Sequence, residues 1–158
     1  MKLLLGTTNP GKIVDFKKYL VRANLELLTL KDIGFWDEPV EIGKTYEENA
    51  LQKAKFYAER TEYPTLSDDG GFEVEALDGR PGVESKRWVG PNGTDQDRVD
   101  KLFKLLEGIR INERTARLRT VIVVYLPQER EIIKVEGKIE GMVPLKPSSV
   151  MFPGFPYR

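Results

Sequence analysis

The sequence predicts an α/β domain, and three stretches carry the prediction. An apolar run, Leu3 to Leu5, reads as a short buried strand and runs straight into Gly6-Thr7-Thr8-Asn9-Pro10-Gly11-Lys12. Ile13, Phe16, Tyr19 and Leu20 follow at helical spacing, so Gly11 and Lys12 open a helix. Further along, Leu118 to Leu126 and Glu131 to Ile139 read as an antiparallel pair turning at Pro127-Gln128-Glu129-Arg130.

The other elements follow in chain order. Leu25 to Leu30 is a second strand, and 31–44 is a loop rich in Gly, Pro and acids with Trp36 packed under it. A helix runs from about Tyr46 to Arg60, with Thr45 as its cap and Glu48 three residues on, at capping-box spacing. Ser67-Asp68-Asp69-Gly70-Gly71 reads as a tight Gly-rich turn that delivers two adjacent acids before another strand. Thr94-Asp95-Gln96-Asp97 starts a third helix, whose apolar face is Val99, Leu102, Phe103, Leu105 and Leu106 and which stops at Gly108. Pro144 to Arg158 carries four prolines and is expected to be irregular.

Length and charge narrow the function. A chain of 158 residues is long enough for one domain, 1–158, with a sizeable core. It has no cysteine, which excludes disulfides and thiolate metal sites and fits a reducing cytoplasm. Lys+Arg and Asp+Glu both number 25, so no strong global field draws nucleic acid or a membrane surface. Leu3 to Leu5 is too short for a signal-peptide core, and no stretch approaches a spanning length.

The turn Thr7 to Lys12 points to phosphate. Backbone N–H groups at a strand-to-helix turn converge on an anion, the helix N-terminus adds partial positive charge, and Lys12 adds a full one. The spacing satisfies G-x-x-x-x-G-K, but Ile13 stands where a P-loop needs a hydroxyl to hold Mg²⁺. A metal would have to be held by carboxylates from elsewhere, and one or two suffice for Mg²⁺ when substrate phosphates share it. Asp68 and Asp69 are candidates; adjacent strand residues diverge, so one of the two faces any given site. Asn49 and Lys53 share one face of the second helix. The same residues also fit an ordinary β-turn, a solvated hairpin and a helix cap. Arg114, Arg117 and Arg119 read as a solvated strand face rather than an anion site, Glu73 as solvent-facing, and Trp88 and Tyr125 as packing or interface residues.

Thr8-Asn9-Pro10-Gly11-Lys12, Thr45-Tyr46-Glu47-Glu48-Asn49-Ala50 with Lys53-Ala54, Ser67-Asp68-Asp69-Gly70-Gly71-Phe72, and Glu75-Ala76-Leu77 with Gly79-Arg80-Pro81-Gly82-Val83-Glu84-Ser85 occur in this order over roughly the first 90 residues. Together they resemble the inosine triphosphate pyrophosphatases, the non-canonical purine nucleoside triphosphate pyrophosphatases. The resemblance implies a long twisted mixed sheet with flanking helices, two lobes around a central cleft and a homodimer. It implies hydrolysis of ITP, dITP or XTP to the monophosphate and pyrophosphate, with Mg²⁺ as cofactor. On it, Thr7, Thr8, Asn9, Pro10, Gly11, Lys12, Lys53 and Gly70 bind substrate, Asp69 and Lys12 are catalytic, and Glu48 and Asp69 hold the metal.

The pattern also departs from the family. Gly70 replaces the serine that usually follows the acid pair. Gly154-Phe155-Pro156-Tyr157-Arg158 resembles the start of a Gly-Phe-Gly-Tyr-Asp-Pro block, with Pro156 for Gly and Arg158 for Asp. A Ser-His-Arg block is absent, since the chain has no histidine. The expectation is a C-terminally shortened domain that separates ITP from ATP poorly, or turns over slowly, unless another chain completes the pocket. A nucleotide-binding protein without hydrolysis and a Maf-type pyrimidine triphosphate pyrophosphatase are the alternatives.

Overall fold

Leu3, Leu4 and Leu5 are almost wholly buried, which a four-residue strand achieves only when both of its faces are covered. The computed structural model describes residues 1–150, 152 and 154–157, and supplies those covers. Strand β1 (Lys2–Leu5) lies between β2 (Glu26–Thr29) and β3 (Thr65–Val74) and is parallel to both. Helices α1 (Pro10–Tyr19) and α2 (Tyr46–Thr61) make the two crossovers that parallel pairing requires. The remaining elements are β4 (Arg80–Pro81), α3 (Asp95–Leu105), β5 (Thr115–Leu126) and β6 (Glu131–Met142). The strands form a six-stranded mixed sheet in the order β2-β1-β3-β5-β6, with β4 antiparallel on β3.

By its contacts the chain divides into two compact units, Met1–Asp69 with Val121–Glu136 and Gly70–Thr120 with Gly137–Arg158. In the first, the period-2 alternation of β1 sorts the core. Leu3 and Leu5 pack with Leu66 against Ile13, Phe16 and Leu20 of the α1 side, while Leu4 packs with Leu30 and Tyr57 on the α2 side. In the second unit, Phe72 and Val74 alternate onto one face and meet Leu77, Leu102, Leu106, Ala116 and Val143.

Helix starts follow the expected chemistry. The Thr45 and Thr94 side chains each accept from the backbone three residues on, and Glu48 and Asp97 close the two capping boxes. Leu105 ends α3, and Gly108 beyond it adopts the positive φ that lets the chain turn away. β5 begins three residues earlier than the apolar run, at Thr115, because Arg114 just before it is itself buried and donates to the carbonyls of Leu106, Ile109 and Pro144. Residues 127–130 form the turn into β6, and a connection that short forces an antiparallel pair.

The structure corrects these expectations. The predicted turn at Asp68-Asp69-Gly70-Gly71 is an uninterrupted part of β3. Its glycine serves close approach rather than a turn: a Cβ on Gly70 would stand 2.3 Å from the Arg119 carbonyl oxygen of β5. Trp36 is 73% exposed, because its neighbour Phe35 takes the inward place, edge-on to Phe56 and Tyr57. Glu73 is buried rather than solvent-facing, held by Arg117 at 2.6 Å and Arg119 at 3.2 Å. Glu75 lies outside the strand in a 3₁₀ turn, where it accepts from Thr115. Arg117 and Arg119 are therefore partnered by acids.

The Gly70 contact yields a stability prediction. Gly70→Ala should destabilise the fold by about 1–3 kcal/mol, the usual cost of overpacking, since the obstructing atom is backbone. Gly141→Ala in β6, where an added Cβ would meet nothing within 4 Å, is the control. Urea denaturation of the two variants checks it; equal midpoints would contradict the close approach.

Candidate active site

The strand order reverses at β1. From β1 the chain crosses to β2 on one side and returns through α2 to β3 on the other. In open α/β sheets, ligands bind beyond the carboxyl ends of the two strands at such a reversal. Here that place is made by residues 6–12 after β1 and by Asp68 and Asp69 past the paired part of β3. Gly6 donates to the Leu66 carbonyl at 2.7 Å, and Ser67 Oγ donates to the Gly6 carbonyl at 3.0 Å, which locks the two segments together. A Cβ on Gly6 would meet Ser67 Oγ at 2.3 Å, so only glycine fits.

The turn itself is a self-capped helix start. Asn9 Oδ1 accepts from the Gly11 N–H at 2.9 Å and the Lys12 N–H at 3.3 Å, and Thr7 Oγ1 accepts from the Asn9 N–H at 3.2 Å. Pro10 sits in the first turn, where its missing N–H costs nothing. Lys12 Nζ reaches Asp68 Oδ2 at 2.8 Å. The other oxygen, Asp68 Oδ1, is buried and has no hydrogen-bond partner among the described residues.

Asp69 belongs to a second group, built on α2. Asn49 is fully buried and spends both ends of its amide: Nδ2 donates to Asp69 Oδ2 at 3.0 Å, and Oδ1 accepts from the Gly43 N–H at 2.8 Å. Lys53 Nζ stands 3.8 Å from Asp69 Oδ1 and 2.8 Å from Glu41 Oε1. Glu41 is delivered by a loop clamped at two points, by Asn49 on Gly43 and by Gln52, whose amide reaches the Val40 carbonyl at 2.6 Å. Burial pushes the Asp69 carboxyl above the ordinary aspartate range. The Lys53 charge and the Asn49 hydrogen bond oppose that rise, Glu41 reinforces it, and Lys12 opposes it.

The structure thus brings together Lys12 with Asp68, and Lys53 with Asp69 and Glu41. Glu48 has a different occupation. Its Oε2 accepts from the Lys44 and Thr45 N–H groups at 2.6 and 3.1 Å, completing the cap of α2 at an exposed position. Glu41 is the acid that sequence reasoning missed. Its only local signal was its place in an acidic loop, since the clamp that aims it is tertiary. Gly70 lies in the close approach of β3 to β5, and Arg158 lies outside the described residues. Among the described residues no cluster of three or more His, Cys, Asp or Glu side chains is preformed around a metal position, and no helix is long and apolar enough to cross a membrane.

A strand-to-helix turn at a topological switch point, flanked by paired lysines and buried carboxylates, defines an α/β protein built for phosphate-bearing ligands. The chain belongs to the Ham1 family, whose pattern it matches over residues 3–157. It is 39% identical over 144 residues to the dITP/XTP pyrophosphatase of Bacillus subtilis, covering 91% of this chain and 72% of that protein. It is 41% identical over 143 residues to the dITP/XTP pyrophosphatase of Thermoanaerobacter pseudethanolicus, covering 90% and 71%. Among solved structures, a HAM1 protein from Coxiella burnetii superposes with a TM-score of 0.86 at 28% identity, covering 98% of this chain and 79% of that one. A dITP/XTP pyrophosphatase from Mycobacterium abscessus does so at 0.79 and 33% identity, covering 94% and 77%.

Proposed function

We propose that this chain hydrolyses non-canonical purine nucleoside triphosphates of the dITP, ITP and XTP type to the monophosphate and pyrophosphate, in the cytoplasm and as a homodimer. The observation that carries the reading is the pairing of Lys12 with Asp68 and of Lys53 with Asp69 and Glu41 around the β1–β3 switch point. Relatives that share this chain's sequence at about two residues in five are named for that activity.

The triphosphate is bound by the turn from Thr7 to Lys12. Thr7 and Asn9 shape the turn through their side-chain hydrogen bonds, and Thr8 and the Lys12 ammonium are assigned to the phosphates, the ammonium neutralising charge without reading the base. Lys53 adds a second ammonium from α2. Asp69, held in place by Asn49 through Oδ2, is assigned to take the proton of the attacking water. A carboxyl raised by burial is a stronger base than an exposed aspartate, which suits that role. The anhydride bond between the α- and β-phosphates breaks, and the pyrophosphate leaves with its charge matched by the lysines.

Mg²⁺ is the proposed cofactor, and the residues fit it. Ile13 offers no hydroxyl; Glu41 and Asp69 present hard carboxylate oxygens, which Lys53 Nζ holds at 2.8 and 3.8 Å and would release to the ion as it turns to the phosphates. These two acids, rather than Glu48, would hold the ion, with phosphate oxygens and water completing its shell. When bound, Mg²⁺ supplies positive charge against the phosphate oxygens.

Pyrophosphate release from ITP, XTP, dTTP, UTP and ATP tests the function. Turnover of ITP and XTP above the pyrimidine nucleotides supports it; preference for the pyrimidines would favour the Maf-type reading, and no turnover would favour a binding protein. A magnesium titration tests the ligand assignment. Glu41→Gln should raise the Mg²⁺ concentration needed for half-maximal rate. Glu48→Gln should leave it unchanged and lower stability by about 0.3–1 kcal/mol through the weakened helix start. The reverse pattern would return Glu48 to the metal.

A further inference from the structure

The start of α1 is already occupied by oxygens of the chain itself. Asn9 Oδ1 accepts from the Gly11 and Lys12 N–H groups, and Asp68 Oδ2 stands 2.8 Å from the Lys12 ammonium. Asp68 is 6% exposed, and its other oxygen is buried without a hydrogen-bond partner among the described residues. A buried carboxylate is costly unless a positive group compensates it, so Asp68 holds the ammonium against itself. The Lys12 side chain stays 24% exposed, which leaves part of the ammonium open to a ligand. An ammonium offers several donors, so it can take a phosphate oxygen without leaving Asp68. The pair is close to neutral, and a phosphate that reaches Lys12 also meets the negative charge beside it.

We propose that Asp68 is a resident counter-ion of the phosphate turn: it keeps the Lys12 ammonium in place and weakens the hold of that ammonium on phosphate, so that pyrophosphate leaves after each turnover. The inference rests on the phosphate role proposed for the turn. Like charges a few ångströms apart oppose each other strongly where solvent is partly excluded. Without such opposition, Lys12, Lys53 and the helix start would bind a highly charged product tightly, and slow product release limits many enzymes. Both lysines are offset by acids, Lys53 by Glu41 at 2.8 Å and Lys12 by Asp68 at the same distance. The acids differ in what happens to their charge. Glu41 and Asp69 are assigned to the ion, which offsets them in the loaded site. Asp68 has no such assignment and keeps its charge beside the product. An asparagine of the same shape would fill the same space, so packing alone does not call for the acid.

Isothermal titration of pyrophosphate into the full chain, in metal-free buffer with EDTA, tests the assignment. Asp68→Asn and Asp68→Ser remove the charge without adding bulk, and the partly exposed Lys12 can then turn to water, so both variants should keep the fold by circular dichroism. Each should bind pyrophosphate about tenfold more tightly than the parent, the effect of removing one nearby like charge. With dITP and Mg²⁺, kcat and KM should fall together, as slower release of product requires. A role confined to placing the ammonium predicts the reverse, weaker pyrophosphate binding and a higher KM, and that result would overturn the counter-ion. An unchanged affinity or an unchanged kcat would overturn it too. Lys12→Ala separates this inference from the reading beneath it. If that variant binds pyrophosphate as the parent does, the phosphate role of the turn fails and the counter-ion fails with it. If it binds weakly while both Asp68 variants bind like the parent, the turn keeps its role and only the counter-ion is overturned.

Discussion

Asp69→Asn should lower turnover by roughly 10²–10⁴-fold, the range for loss of a general base, and leave the fold intact. The amide keeps an oxygen for the Asn49 Nδ2 donor that now reaches Oδ2 at 3.0 Å, so the buried hydrogen bond survives. The same variant should be more stable than the parent at neutral pH in metal-free buffer. The sign follows from linkage. Burial raises the Asp69 carboxyl above its unfolded value, so between the two values the folded state binds more protons than the unfolded one. Stability therefore falls as pH rises through that window, and the penalty grows from the ordinary aspartate value upward. Below the ordinary aspartate range both states are protonated and the advantage of asparagine disappears. Thermal melts of both proteins across pH measure this directly, and a variant less stable at neutral pH would contradict the burial argument. Asp68→Asn should cost less activity, since Asp68 contacts Lys12 instead of the Asn49–Lys53 group.

The second large effect belongs to Lys12. Lys12→Ala should reduce kcat/KM for every nucleotide alike, by about 10–100-fold if one charge-assisted contact is lost. A loss confined to one base would place the ammonium against the base instead. The variant should also be destabilised by about 1–3 kcal/mol, because Asp68 would lose the partner of Oδ2 while Oδ1 already has none among the described residues. Adding Asp68→Asn removes the buried charge and should recover much of that stability with no recovery of activity. A double variant as unstable as Lys12→Ala would show that Asp68 is stabilised by something other than Lys12.

Local chemistry was legible in the sequence. The strand-to-helix turn at Gly6 to Lys12, the capping box at Thr45 and Glu48, and the α3 start at Thr94 each depend on residues within a few positions of one another, and each formed as expected. What stayed hidden depends on partners distant in the chain. Gly70-Gly71 had the composition of a turn, yet the approach of Arg119 makes it a strand. Glu41 sat in a loop without periodicity, and it comes beside Lys53 only through the clamp of Asn49 and Gln52 of α2. Glu48 carried the right charge in the right motif, and its Oε2 caps the Lys44 and Thr45 N–H groups at the start of α2. Trp36 and Phe35 were indistinguishable by sequence, and packing on Phe56 and Tyr57 chose Phe35.

The most direct measurement is a ³¹P NMR time course of dITP with Mg²⁺ and the purified chain, run beside Asp69→Asn. Hydrolysis at the proposed site predicts deoxyinosine monophosphate and pyrophosphate in equal amounts, and no products from the variant on the same timescale. Release of orthophosphate and the nucleoside diphosphate, or equal rates from the two proteins, would contradict it.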